Sequence, residues 1–233
     1  MSMFVALNVY HDAAAHSAAM NMAIDEALLE YATVPSIRFY RWHSPALSFG
    51  YFGKFAHVAC YAGERDLVRR WTGGGIVFHG NDLTYSIVIP ANDNAFSESS
   101  IAIYEKVHRV LCDAVGAHGK RAVVAGGGDP DDAADTIRIA FSAGGYNCFA
   151  NPVRADVIVD GRKIAGAAQR RTRRGLLQQG SIQGIDLENG LAKRFAQELS
   201  ANCSESEIDR KVLNRARELA QCKYGTGAWL RKR

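Results

Sequence analysis

Three consecutive glycines, Gly73-Gly74-Gly75, stand between two short apolar runs, Leu67-Val68-Arg69-Arg70 and Ile76-Val77-Phe78-His79. Backbone without side chains can turn with positive φ and lie directly against another segment or a bound molecule. A dinucleotide-binding turn needs Gly-x-Gly-x-x-Gly opening a helix, and a strand follows here, so that fold is excluded. A bulge or tight hairpin would account for the glycines alone. Two adjacent arginines, Thr72 and a strand ending in His79 add polar chemistry that a bulge does not need. The turn is therefore a candidate wall of a binding site.

Around it the apolar spacing predicts both helices and strands. Ala13 to Tyr31 reads as a helix, with Met20, Ile24, Ala27, Leu28 and Tyr31 on one stripe and Asp25, Glu26 and Glu30 off it. Ile37–Trp42 and Ala46–Phe52 read as two strands joined by a turn at Ser44-Pro45. Leu83 to Ile89 alternates as a strand, Ser97 to Ala117 is helical, and a Gly/Asp loop fills Ala125 to Asp135. Strands resume at Ala155–Val159, with Asp160-Gly161 as a hairpin turn, and continue through Arg162–Ala168 and Gly175–Ile182. A capping box, Ser204 to Glu207, opens a last helix running to about Cys222. The expected class is α+β: a single domain over residues 1–233, with a mixed, largely antiparallel sheet flanked by helices.

Composition narrows the function. With 48% hydrophobic and 22% charged residues, the chain can bury a substantial core and is not of disordered type. No apolar run approaches the roughly 18 residues of a membrane span, and the N-terminus lacks the form of a signal peptide. A cytoplasmic protein is expected, with no membrane association. The five cysteines, Cys60, Cys112, Cys148, Cys203 and Cys222, are scattered without metal-ligand spacing, so reduced thiols and no metal site are expected. Locally basic segments occur at Arg69-Arg70, at Gln169–Arg174 and at Arg231-Lys232-Arg233. Such segments sit on solvated faces or steer an acidic partner; no nucleic-acid-binding motif accompanies them, and nucleic acid is not expected.

Arg69-Arg70-Trp71-Thr72-Gly73-Gly74 followed by a strand ending in His79 resembles the acyl-pocket turn of the catalytic domain shared by lipoate-protein ligases, octanoyltransferases and biotin ligases. The resemblance covers nearly the whole chain. Asn21–Leu29 is similar to that family's first helix, Arg38–Trp42 and Leu47–Phe52 to its first hairpin, and Leu83-Thr84-Tyr85-Ser86 to the strand after the histidine. Ala216–Leu219 and Lys223–Trp229 also look like family sequence. It implies that Arg70, Thr72, Gly73, Gly74, Gly75, His79 and Tyr85 contact the acyl substrate. His79 is either a general base or a structural hydrogen-bonding group at the end of its strand.

Asp160-Gly161-Arg162-Lys163-Ile164-Ala165-Gly166-Ala167-Ala168 resembles the family's lysine segment. The resemblance implies that Lys163 meets the acyl carbonyl, and that Gly166 and Ala167 line the pocket; an ammonium there would stabilise a developing oxyanion. Gln178-Gln179-Gly180-Ser181 resembles a Gln-His-Gly-Ser strand, with Gln179 in place of the histidine. Cys148-Phe149-Ala150-Asn151-Pro152, 15 positions before Lys163, resembles the Cys-Phe-x-x-Pro segment of a cysteine-dependent octanoyltransferase subfamily, the nearest in kind. Cys148 and Lys163 are thus the expected catalytic residues of an enzyme that moves an octanoyl or lipoyl group. No cofactor is implied. The implied donor is an acyl carrier protein, and the acceptor a lysine of a lipoyl domain or of the glycine-cleavage H protein.

Several positions depart from the transferase pattern: Gly53 stands where a glutamine commonly follows the Gly-Tyr-Phe strand, and Gly80 where an aspartate follows the histidine. Gly75 stands where the transferases commonly have arginine, and Arg154-Ala155-Asp156 is more similar to the Arg-Asn-Asp segment of ligases. The alternative is an ATP-dependent lipoate-protein ligase, using lipoate, ATP and Mg2+. It would lack the small C-terminal accessory domain, and an accessory subunit could then take its place. A non-catalytic carrier-binding module is a third reading. Biotin ligase is disfavoured, because its Gly-Arg-Gly-Arg-type loop is missing.

Overall fold

The computed structural model describes residues 2–116, 121–126, 154–187 and 190–232. In chain order these form β1 (Leu7–His11), α1 (Ala18–Tyr31), β2 (Ser36–Tyr40), β3 (Ala46–Phe49), β4 (Asp66–Arg69), β5 (Ile76–His79), β6 (Leu83–Pro90) and α2 (Ser100–Gly116). There follow β7 (Ala122–Val124), β8 (Val157–Val159), β9 (Arg162–Thr172), β10 (Gly175–Ile182), α3 (Leu191–Leu199), β11 (Cys203–Glu205), α4 (Arg210–Leu219), a π-type turn at Ala220–Tyr224 and a short α5 (Gly227–Leu230). Among these residues, eight strands form a sheet in the order β11-β1-β2-β6-β10-β9-β8-β7, and three form a smaller sheet, β4-β3-β5. The large sheet is antiparallel except where β1 pairs with β2 and β11. The α+β class with a mixed, largely antiparallel sheet flanked by helices is what the sequence led us to expect.

Strand alternation puts the two faces of β6 into different cores. Tyr85, Ile87 and Ile89 face a cluster containing Val107 and Leu111 of α2 and Phe195 and Leu199 of α3. Val88 faces a second cluster with Ala23 and Ala27 of α1 and Val212 and Ala216 of α4. At about 25 cal/mol per Å² of apolar surface, these two layers supply most of the driving force for folding. Among the described residues no helix is long and apolar enough to cross a membrane.

Helix α1 starts at Ser17, whose hydroxyl accepts from the Met20 amide at 3.3 Å, rather than at residue 13. It is not amphipathic as expected: Asn21 to Leu29 are all buried, Asp25 and Glu26 included. The reason is its position, with the sheet on one side and α4 on the other. Asp25 is compensated inside by Arg38 Nη1 at 2.9 Å, the Ser86 hydroxyl at 2.7 Å and Tyr40 Oη at 3.0 Å.

Other expectations fail for topological reasons. β2 and β3 are not a hairpin: both edges of β2 are taken, by β1 and β6, and β3 joins the smaller sheet. Ser204 does not cap a helix, because it lies in β11 beside Asn8; Asp209 caps α4 instead, accepting from the Lys211 amide at 2.7 Å. Nor are Arg69 and Arg70 a solvated basic patch, since both are buried. The Arg69 guanidinium donates to the carbonyls of Tyr51, Gly53, Trp229, Leu230 and Lys232, fastening the C-terminal segment beside β3 and β4. Strands β1 and β11 and helix α3 are short elements that the apolar pattern did not disclose.

Candidate active site

The glycine turn between β4 and β5 is packed too closely for side chains at two places. A Cβ on Gly50, just after β3, would lie 2.1 Å from the carbonyl oxygen of Gly74. Gly74 itself has φ of 82°, a conformation that L-residues rarely take. Arg70 braces the turn from within: Nη2 donates to the carbonyls of Gly73 at 3.0 Å and Gly75 at 2.8 Å, and Nη1 to the Ser48 hydroxyl at 2.6 Å. Thr72 is fixed by the amide oxygen of Gln179 at 2.8 Å, and the amide nitrogen of Gln179 donates to Asp25 at 2.7 Å. A buried polar network thus ties the turn to α1 and β10.

Below the turn lies a cavity of about 200 Å³ between the two sheets. Met22, Trp42, Val77 and Ala168 give it apolar walls. On one side stands a chain of three residues. His79 Nε2 is 2.7 Å from Ser48 Oγ, and Nδ1 is 2.7 Å from Asp82 Oδ2. The Trp42 ring stacks on the imidazole at 4.0 Å. Burial holds His79 below its ordinary pKa against the opposing pull of Asp82. The imidazole is therefore neutral at pH 7, with Nδ1–H donating to Asp82 and Nε2 accepting from Ser48. Burial would raise the Asp82 carboxyl, but hydrogen bonds from His79, Ser181 and the Gly80 amide outweigh it and hold its pKa low.

Across the cavity, Lys163 Nζ is 2.7 Å from Asp156 Oδ2, and the two side chains are 4% and 1% exposed. Tyr104 Oη donates to Asp156 Oδ1 at 2.9 Å and accepts from the Ala167 amide at 2.9 Å. Lys163 folds back over Gly166, where a Cβ would sit 2.7 Å from its Cε and 2.8 Å from its Nζ. The small residue after the lysine therefore sets where the ammonium lies.

Of the residues expected to contact substrate, Arg70, Gly74, Gly75, His79, Lys163, Gly166 and Ala167 line this cavity. Thr72 and Gly73 stand behind the lining and hold it. Tyr85 faces the other side of the sheet: its hydroxyl meets His108 Nε2 at 3.0 Å and its ring packs edge-on to Phe195. Its place near the histidine in sequence does not bring it to the cavity, because strand residues alternate in direction. Gly180 leaves room for it, since a Cβ there would lie 2.3 Å from the Tyr85 ring. Cys148 lies outside the described residues. Cys112 is buried behind the sheet, where burial pushes its thiol up to about 12, and Cys60, Cys203 and Cys222 are not in the cavity lining. Ser48, Asp82 and Tyr104 were not singled out from sequence, since each comes from a different segment with no motif around it; Asp156 stands out only as part of the Arg154-Ala155-Asp156 segment.

A family model for the lipoyl protein ligase A/B catalytic domain matches residues 17–221. Octanoyltransferase LipM of Geobacillus kaustophilus is 36% identical over 181 residues, which is 74% of this chain and 63% of that protein. The chain spans about three fifths of the length of the curated relatives it matches. A crystal structure of lipoate-protein ligase A bound with ATP superposes with a TM-score of 0.72 at 20% identity, covering 98% of each chain. A bi-partite lipoate protein ligase from Thermoplasma acidophilum, studied with its E2 lipoyl domain, gives 0.70 at 20% identity, covering 97% of this chain and 96% of that one. At these identities the two structures establish likeness of fold.

Proposed function

The chain belongs to the lipoyl protein ligase A/B catalytic-domain family, and on that premise we propose that it is a protein acyltransferase of lipoate metabolism. It takes an octanoyl or lipoyl group from a carrier-protein thioester and passes it, through Cys148, to a lysine of a lipoyl domain. The observation that carries this reading is the placement of Lys163: a buried ammonium at the wall of an apolar cavity, held by Asp156 at 2.7 Å. Met22, Trp42 and Val77 would keep water from the acyl chain while its carbonyl end meets Lys163.

The Cys148 thiolate attacks the thioester carbonyl, and the carrier's thiolate leaves and takes a proton. The acceptor lysine, as free amine, then attacks the acyl-enzyme; Cys148 leaves as thiolate and the amine loses its proton. Each tetrahedral intermediate carries an oxyanion, which a positioned ammonium in a water-poor site stabilises by several kcal/mol, roughly 3 in comparable cases. The part given to Cys148 rests on its Cys-Phe-x-x-Pro segment and on its spacing to Lys163. A thioester is already activated, so this chemistry needs no ATP. Acyl carrier protein is the proposed donor, and a lipoyl domain or the glycine-cleavage H protein the acceptor. The cytoplasm, where thiols stay reduced, suits the chemistry.

Two specific features support a second reading, the ATP-dependent lipoate ligase: Gly75 and the Arg154-Ala155-Asp156 segment are of the ligase kind. In that reading lipoate and ATP with Mg2+ replace the thioester. The Asp156 carboxylate is already engaged by Lys163 and Tyr104, which makes it a poor candidate for a magnesium ligand. The two readings separate in one assay. Octanoyl-carrier protein with a lipoyl domain and no nucleotide should give octanoylated lipoyl domain; modification only with lipoate plus ATP would establish the ligase instead.

A further inference from the structure

Beyond the glycine turn, cations and aromatic rings interleave on the face of β9 that carries Ala168. Arg170 is two residues further on along that face, roughly 7 Å. Its guanidinium carbon lies 5.3 Å from the Tyr51 ring centre and 5.1 Å from that of Trp71. Lys223 Nζ lies 4.6 Å from the Trp71 ring and 4.5 Å from Trp229. Lys232 Nζ lies 4.7 Å from the Tyr51 ring and donates to its hydroxyl at 2.7 Å.

Ring faces fix a cation in place without cancelling its charge, as a carboxylate would. Among the described ion pairs a single carboxylate enters this cluster, Glu26 at 2.5 Å from Lys223. Arg170 Nε is buried and has no hydrogen-bond partner among the described residues. The positive field is felt at Tyr51, whose phenol is held below its ordinary pKa by the Lys232 hydrogen bond and the surrounding cations.

We propose that Arg170, Lys223 and Lys232 form an anion subsite for the phosphate of a phosphopantetheine arm, the tether that presents an acyl thioester. The proposal rests on the transferase reading above and adds the group that the enzyme grips on its donor. Lys163 folds back to Gly166, and from Gly166 to Arg170 is four residues of strand, roughly 14 Å. A pantetheine arm, with two amide units between thiol and phosphate, spans such a distance. A thioester carbonyl beside Lys163 therefore sets the phosphate among the three cations, where it accepts charge-assisted hydrogen bonds.

The test compares octanoyl-phosphopantetheine with octanoyl-pantetheine, which lacks the phosphate, as donors to a lipoyl domain. The full chain should favour the phosphorylated donor about tenfold in kcat/KM, the scale of two partly exposed charge pairs. That ratio should fall toward one in Arg170→Gln and in Lys232→Gln, and with rising salt. Equal use of both donors by the unaltered chain would overturn the subsite, as would a preference that both variants retain. Discrimination confined to whole carrier protein would also overturn it, and would assign the cations to the carrier's acidic surface. If neither donor nor whole octanoyl-carrier protein supports transfer, the transferase reading fails separately. Calorimetry with phosphopantetheine and pantetheine then decides the subsite: tighter binding of the phosphorylated arm, weakened in Arg170→Gln, sustains it, and equal binding ends it.

Discussion

Lys163 reaches Asp156 across the bare backbone of Gly166, and the 2.7 Å contact between ammonium and carboxylate is almost completely shielded from water. Gly166→Ala would put a methyl group 2.8 Å from the ammonium nitrogen and force the lysine off its carboxylate. Displacement of about 1 Å at a reacting centre can cost on the order of a hundredfold in rate. Acyl transfer by Gly166→Ala should fall by that order, and the denaturation midpoint should drop as well, because a buried ion pair is broken. Full activity in this variant would show that the position of the ammonium does not matter.

Asp156→Asn keeps the shape of the side chain and removes its charge. A buried lysine without its counter-ion destabilises a fold by about 3 kcal/mol. A clear drop in denaturation midpoint is expected, with kcat reduced more than KM is raised. An unchanged midpoint would mean that the ion pair contributes no net stability.

Ser48, His79 and Asp82 make a third prediction about the cavity. The sequence left His79 open between general base and structural group. In the fold it joins Ser48, and through Ser48 the Arg70 that braces the glycine turn. His79→Ala takes one hydrogen bond each from buried Ser48 and Asp82, at a cost of about 1–3 kcal/mol, and loosens the turn. A rise in KM exceeding the fall in kcat is expected. A fall in kcat of about a hundredfold or more with KM unchanged would instead mark His79 as a proton-transfer group.

Legibility in the sequence followed contiguity. The glycine turn, the segment around Lys163 and the alternation of Leu83 to Ile89 are each read within a dozen residues, and all occur where expected. Ser48, Asp82 and Tyr104 reach the site from β3, from the turn before β6 and from α2, and nothing local marks them. Asp25 reads in the sequence as lying off the apolar stripe of its helix; only the second layer of helix packing makes it an interior anchor. The Ser204 signal failed for a related reason: a strand partner, Asn8, claimed the segment first.

His108 gives a pH dependence with a definite sign. It is fully buried against Tyr85 and the Ala155 carbonyl, and burial lowers its pKa from 6.5 to about 4. Between those values the unfolded chain binds a proton that the folded chain does not. Stability is therefore complete above about pH 6.5 and declines as the pH falls toward 4, by up to roughly 3 kcal/mol at 1.36 kcal/mol per unit. Denaturation midpoints measured over that range should fall steeply, and less so in His108→Gln. Parallel profiles for the two proteins would place the titrating group elsewhere.

The claim that an acyl group passes through Cys148 is tested by the intact mass of the protein after incubation with octanoyl-carrier protein, without nucleotide. The proposal requires one added octanoyl group, discharged by a lipoyl domain and missing in Cys148→Ser. No adduct on the unaltered chain, or an adduct that persists in Cys148→Ser, would contradict it.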